Sequence, residues 1–136
     1  MDVGAALDFV RINHRAVIQT QRRDGRAQLA PVTVDVDADD KVVISCRQTA
    51  YKVAHLRRDP RASLCVFPDK WLGRWIQIEG TAEIQPLPEA LEPLVEYYRR
   101  LRGEHPDWDE YRAAMIQDQR LLIRISVERA GPDRQG

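Results

Sequence analysis

The sequence predicts a mainly β (α+β) chain folded as a six-stranded antiparallel β-barrel with peripheral helices. Six segments of strand-like polarity, two tight turns and helices that interrupt the strands rather than alternate with them point to it. The 136 residues suit one domain, taken as 1–130, with a polar tail over 131–136 expected to fray.

Asp2 is placed to cap a helix running to about Asn13, with Val3, Leu7, Phe9 and Val10 as its apolar positions. Residues 16–21 read as a strand. Arg22-Arg23-Asp24-Gly25 reads as a tight turn, because Asp-Gly supplies positive φ cheaply. A second strand is expected over 28–37, where Val32, Val34 and Val36 alternate with Thr33, Asp35 and Asp37. A turn at 37–40 leads to a third strand over 41–47. Val42, Ile44 and Cys46 share one of its faces, and Val43, Ser45 and Arg47 share the other.

Helical spacing begins at Thr49, a candidate cap, and Asp59-Pro60 ends it. Strands follow over 62–67 and 74–85, the second with Gly80 marking a bulge. Pro86-Leu87-Pro88 breaks the sheet. An amphipathic helix over 89–102 carries Leu91, Leu94, Val95, Tyr98 and Leu101, although of the adjacent Tyr97 and Tyr98 only one can face the core. Gly103 follows it. A helix over 108–117 and a sixth strand over 121–127 complete the expected order.

Several function classes are disfavoured. The 21 basic and 21 acidic residues cancel, so a general nucleic-acid surface is not expected. Cys46 and Cys65 sit in apolar strands and read as reduced, buried thiols. No apolar run approaches the ~18 residues of a membrane span, and no signal-peptide pattern opens the chain. The expected location is cytoplasmic, with no membrane partner. GxGxxG, GxxxxGK[ST], HExxH and GxSxG are all absent, and no metal-ligand spacing is seen. Nothing marks a nucleophile beside His14, His55 or His105, so no catalytic residue is assigned. Chemistry, if there is any, is expected from a bound cofactor.

One stretch stands out: Ser45-Cys46-Arg47-Gln48-Thr49-Ala50-Tyr51-Lys52, continuing through His55 to Asp59-Pro60. A strand ending in Ser and Arg leads into a helix with Lys in its first turn. Amides at a helix N-terminus together with Arg47 and Lys52 suit a phosphate. The same spacing is also that of an ordinary surface helix with solvated basic residues.

The order of elements around this stretch resembles the pyridoxamine 5′-phosphate oxidase-like split β-barrel superfamily. It resembles in particular the group that uses the deazaflavin coenzyme F420. The likeness extends to the hairpin at 20–29, to Leu56-Arg57-Arg58-Asp59-Pro60, to Trp75-Ile76-Gln77-Ile78-Glu79-Gly80 and to the helical insert at 98–118. It implies an FMN-binding split barrel-like fold and a homodimer with cofactor sites between subunits. It implies Lys52 at the phosphate, with Ser45, Arg47 and Thr49 around it. Gln28, Pro31 and Thr33 would flank the ring system, Trp75 or Gln77 would reach in from the partner, and His55 would lie near the cofactor tail. Trp71 would either border a flat ring or pack at the subunit interface. The implied function is an F420-dependent oxidoreductase acting on a small molecule. The alternatives are an FMN enzyme of the same fold, or a protein that only carries F420 or haem.

Overall fold

The computed structural model describes residues 1–136. Helix α1 spans Val3–Ile12, and the Asp2 carboxylate caps it by accepting from the Ala5 amide at 2.8 Å. Strands β1 (Arg15–Gln21) and β2 (Ala27–Thr33) form the expected hairpin, its turn closed at Gly25 with φ +87°. Strand β3 (Asp35–Val36) and strand β4 (Val42–Arg47) follow, and then helix α2 (Tyr51–Arg58). Strands β5 (Arg61–Phe67) and β6 (Arg74–Gln85) lead to helices α3 (Leu91–Arg102) and α4 (Trp108–Gln117), and strand β7 (Arg120–Gln135) ends the chain. No helix is long and apolar enough to cross a membrane.

All seven strands belong to one antiparallel sheet in the order β2-β1-β5-β6-β7-β4-β3. The outermost strands, β2 and β3, are consecutive in the chain and separated only by Val34. Up to Val34 the segment pairs with β1; beyond it, the segment pairs with β4. The expected second strand over 28–37 is therefore two strands, which is why seven are seen instead of six. This change of partner curls the sheet into the split barrel. Asp35, opposite Val43, stays on the outer face, where it is 3% exposed and meets Arg100.

Alternation elsewhere gives two cores. Val42, Ile44, Cys46, Leu121, Ile123 and Ile125 point into the barrel with Ile18, Leu64, Ile76 and Ile78. Val43 and Leu122 point the opposite way and are covered by Ala90, Leu94 and Tyr97 of the α3 region. Full burial of a side chain such as Leu94 contributes about 2 kcal/mol. Tyr97, not Tyr98, is the tyrosine that faces this core.

Three boundaries differ from expectation. Ala50, not Thr49, occupies the N-cap of α2, and no side chain caps that helix. Helix α3 starts at Leu91, after a turn that absorbs Glu89 and Ala90. The tail does not fray: β7 runs to Gln135, and its end pairs with β6 at Arg74↔Gln135 and Trp75↔Arg134. A two-pronged Arg74–Asp133 bond, 2.8 and 2.9 Å, closes that end.

Gly80 lies where the β6–β7 register shifts, as a mid-strand glycine suggests. A Cβ there would sit 2.1 Å from the Ser126 carbonyl oxygen. Backbone on both strands must move to admit it, so Gly80→Ala is expected to lose about 3 kcal/mol, at the upper end of overpacking costs. Urea unfolding of the two proteins measures this, and an unchanged midpoint would contradict the close approach.

Candidate functional site

A cleft of about 560 Å³ lies between the outer face of the sheet and the α3–α4 pair. Pro31, Val32 and Thr33 of β2, Ser45 of β4 and Arg120 of β7 form the sheet side, with Lys52 of α2. Tyr97, Tyr98, Leu101 and Arg102 of α3 and Tyr111 and Met115 of α4 form the helical side.

The lining carries three cations and no carboxylate. Lys52 is half-buried in the first turn of α2 and makes no ion pair. Arg120 is brought beside Ser45 by the β4–β7 register and donates to its hydroxyl from Nη2 at 3.1 Å. Its Nε is buried without any partner. A buried donor left unpaired costs about 1–3 kcal/mol. An anion in the cleft would satisfy it, and Lys52 would add charge-assisted donors. With apolar and aromatic side chains filling the rest of the lining, these residues fit a flat group bearing a phosphate or carboxylate.

Four of the ten sequence candidates meet here: Pro31, Thr33, Ser45 and Lys52. The other six lie elsewhere in the subunit. Gln28 stands opposite Thr20 in the β1–β2 ladder. Arg47 is exposed, 4.0 Å from Asp118, and Thr49 is exposed in the preceding turn. His55 Nδ1 is hydrogen-bonded to the buried Thr20 hydroxyl at 2.9 Å. Desolvation, helped by Arg58 and Arg22, holds that imidazole below its ordinary value. Trp75 lines a second groove, of about 400 Å³, with Val17, Cys65, Phe67, Trp71 and Leu72. Gln77 pairs with Cys65 in the sheet.

The groove and the cleft share a sheet face. Pro31, Val17, Cys65 and Gln77 form one cross-strand row from β2 to β6. Both cysteines are unpaired. Burial raises the thiol of Cys46, with Lys52 and Arg120 opposing, and burial raises that of Cys65.

Sequence reasoning missed Arg120, Arg102 and the tyrosines. The helical wall is held by a cluster of Tyr98, His105, Trp108 and Tyr111, with ring centroids 4.9–5.8 Å apart. Tyr111 donates to the Leu94 carbonyl at 3.1 Å, which ties α4 to α3. Tyr97 donates to the Thr33 carbonyl at 2.8 Å, which ties α3 to the end of β2.

The curled antiparallel sheet with four helices, and a cationic cleft on its outer face, defines a split-barrel protein. The chain belongs to the pyridoxamine 5′-phosphate oxidase family, which matches residues 4–131. It is similar to a conserved hypothetical protein from Mycobacterium tuberculosis, with 27% identity and a TM-score of 0.79, over 99% of this chain and 85% of that one. It shares its fold with an F420 reductase at 17% identity and a TM-score of 0.69, over 91% and 94% of the two chains. It likewise shares its fold with a haem storage protein from Vibrio cholerae at 12% identity and a TM-score of 0.70, over 100% and 98%.

Burial pushes the Tyr97 phenol up to about 12. Folding thus favours the neutral phenol over its unfolded value near 10. The associated stability is complete below about pH 10 and is lost as pH rises toward about 12. Alkaline titration by phenolate absorbance is expected to show a step near pH 12 that Tyr97→Phe lacks.

Proposed function

We propose that this chain is a coenzyme F420-dependent oxidoreductase that reduces a small-molecule acceptor. The observation that carries the reading is the acid-free cationic cleft with the buried, unpartnered Nε of Arg120. The choice of a deazaflavin is supported by the helical insert at 98–118, which supplies one wall of the cleft, and by the fold shared with an F420 reductase.

In this reading Lys52, Arg120 and Ser45 bind the cofactor's phosphate, while Pro31, Val32 and Thr33 flank its ring. When bound in reduced form, the deazaflavin supplies the hydride that the acceptor takes up. Tyr98, Leu101 and Met115 exclude water and orient the acceptor. The lining holds no His, Asp, Glu or Cys, and Tyr97 stays protonated far above neutrality. No side chain of the lining is assigned as a proton donor, and in this reading the acceptor's proton is drawn from solvent.

The active unit in this proposal is a homodimer. Trp71 and Leu72 are 78% and 64% exposed beside the apolar groove, and the Pro31–Gln77 row leads from that groove toward the cleft. A second copy seated on this face would cover the aromatics and bring its own Trp75 and Gln77 toward the cofactor. Light scattering at micromolar concentration is expected to give twice the 15.7 kDa chain mass. A monomer would remove the shared site.

Lys52→Ala is expected to weaken F420 binding by about tenfold to a hundredfold, the cost of losing one charged partner. Arg57→Ala, exposed on the same helix, is the control. Lys41 is a poorer control, because it donates to Ser126 at 2.7 Å. Titration with F420, FMN and haem, followed by absorbance and Trp quenching, tests the reading. Tight binding of FMN or haem with none of F420 would replace it, and equal F420 affinity in Lys52→Ala would discard the phosphate assignment.

A further inference from the structure

Three arginines near the end of α3 are used differently. Arg99 pairs with Glu96 and Glu104 at 2.5 and 2.9 Å and lies over the Trp108 ring. Arg100 pairs with the buried Asp35. Arg102 has neither an ion pair nor a side-chain hydrogen bond, and it is the one of the three that lines the cleft. Arg22, Arg23 and Arg57 are likewise without a side-chain partner but lie away from the cleft, whereas Arg74, Arg112 and Arg124 each hold a carboxylate within 3.3 Å. Lys52 and Arg120 line the opposite, sheet side of the cleft. The side chains that accompany Arg102 on the helical wall, Tyr98, Leu101 and Met115, carry no charge.

We propose that Arg102 is a second anion-binding point, so that the cleft takes an aromatic or apolar body with two separated anionic groups. This deepens the cofactor reading by adding a cation on the helical wall, across from Lys52 and Arg120. The second anion, a carboxylate or phosphate, comes either from the far end of the bound cofactor or from an acidic acceptor. The physical basis is the same in both cases: a guanidinium without a partner on an apolar wall binds an anion through paired N–H donors.

The test uses probes that do not depend on the cofactor's identity. A naphthalene monocarboxylate and a naphthalene dicarboxylate, its charges at opposite ends, are titrated calorimetrically into the parent, Arg102→Gln and Lys52→Ala. The dicarboxylate is expected to bind the parent about tenfold tighter, a charge-assisted pair being worth about that factor. Arg102→Gln should erase this preference and leave monocarboxylate affinity unchanged. Lys52→Ala should weaken both probes. A preference that persists in Arg102→Gln, or that is absent from the parent, overturns the proposal. Either result is readable even if F420 itself does not bind. The source of the second anion then follows from two further measurements. Weaker F420 binding by Arg102→Gln assigns it to the cofactor. Unchanged F420 binding, with a raised KM for a carboxylate acceptor but not for its amide, assigns it to the acceptor.

Discussion

The cleft depends on one buried carboxylate. Asp35 lies at the point where the chain leaves β1 for β4, on the outer face opposite Val43, and it is buried there beside α3. A buried carboxylate without a partner costs several kcal/mol. Arg100 meets it, and Arg100 stands on α3. The pair thus fixes how α3 docks over this edge, where Tyr97 adds its bond to the Thr33 carbonyl. Docked in that way, α3 presents Tyr98, Leu101 and Arg102 across from Ser45 and Arg120. The ion pair contributes less by net energy than by orientation, since a buried pair is seldom more stable than an apolar substitute.

The strand period carries the rest of the site. Residues 43, 45 and 47 of β4 and 120, 122 and 124 of β7 share the outer face. The apolar members of this set, Val43 and Leu122, are covered by α3. The polar members Ser45 and Arg120 lie beyond that cover and open onto the cleft. Arg124, at the other end, holds Asp37, Asp39 and Glu83. One face of two strands therefore changes from an ion-pair cluster through an apolar patch to the cationic cleft along its length.

This explains which features were legible in the sequence. Strand and helix identities follow from periodicity, and turns from Asp-Gly and Pro, so the barrel could be read locally. The switch at Val34 could not: Val32, Val34 and Val36 alternate in the same way whether or not the strand changes partner. The fate of the tail was hidden for a similar reason, since polar residues 131–135 form a strand only because β6 offers them a partner. At the site, Lys52 and Ser45 lie in one contiguous stretch that a linear reading can notice. Arg120 is 68 positions from Lys52 and joins it through sheet register, for which no local motif exists. His55 shows the converse failure. Its spacing from Lys52 suggests a shared face, but the Thr20 hydroxyl beneath α2 captures its ring.

Charge follows the same division between composition and placement. Equal numbers of basic and acidic residues make the chain neutral as a whole, which argues against a polyanion surface. Neutrality of the whole does not extend to the cleft. Surface pairs such as Arg15–Asp69 and Arg61–Asp59 each contribute little stability, because solvent screens them. Their collective effect is to cancel charge locally, while Lys52, Arg102 and Arg120 share a cleft that holds no carboxylate. Concentrated in a cleft with apolar walls, such a field favours small anions over extended ones and draws them toward the site. A chain of zero net charge can in this way carry a cleft of positive sign, through register and helix docking that composition does not record.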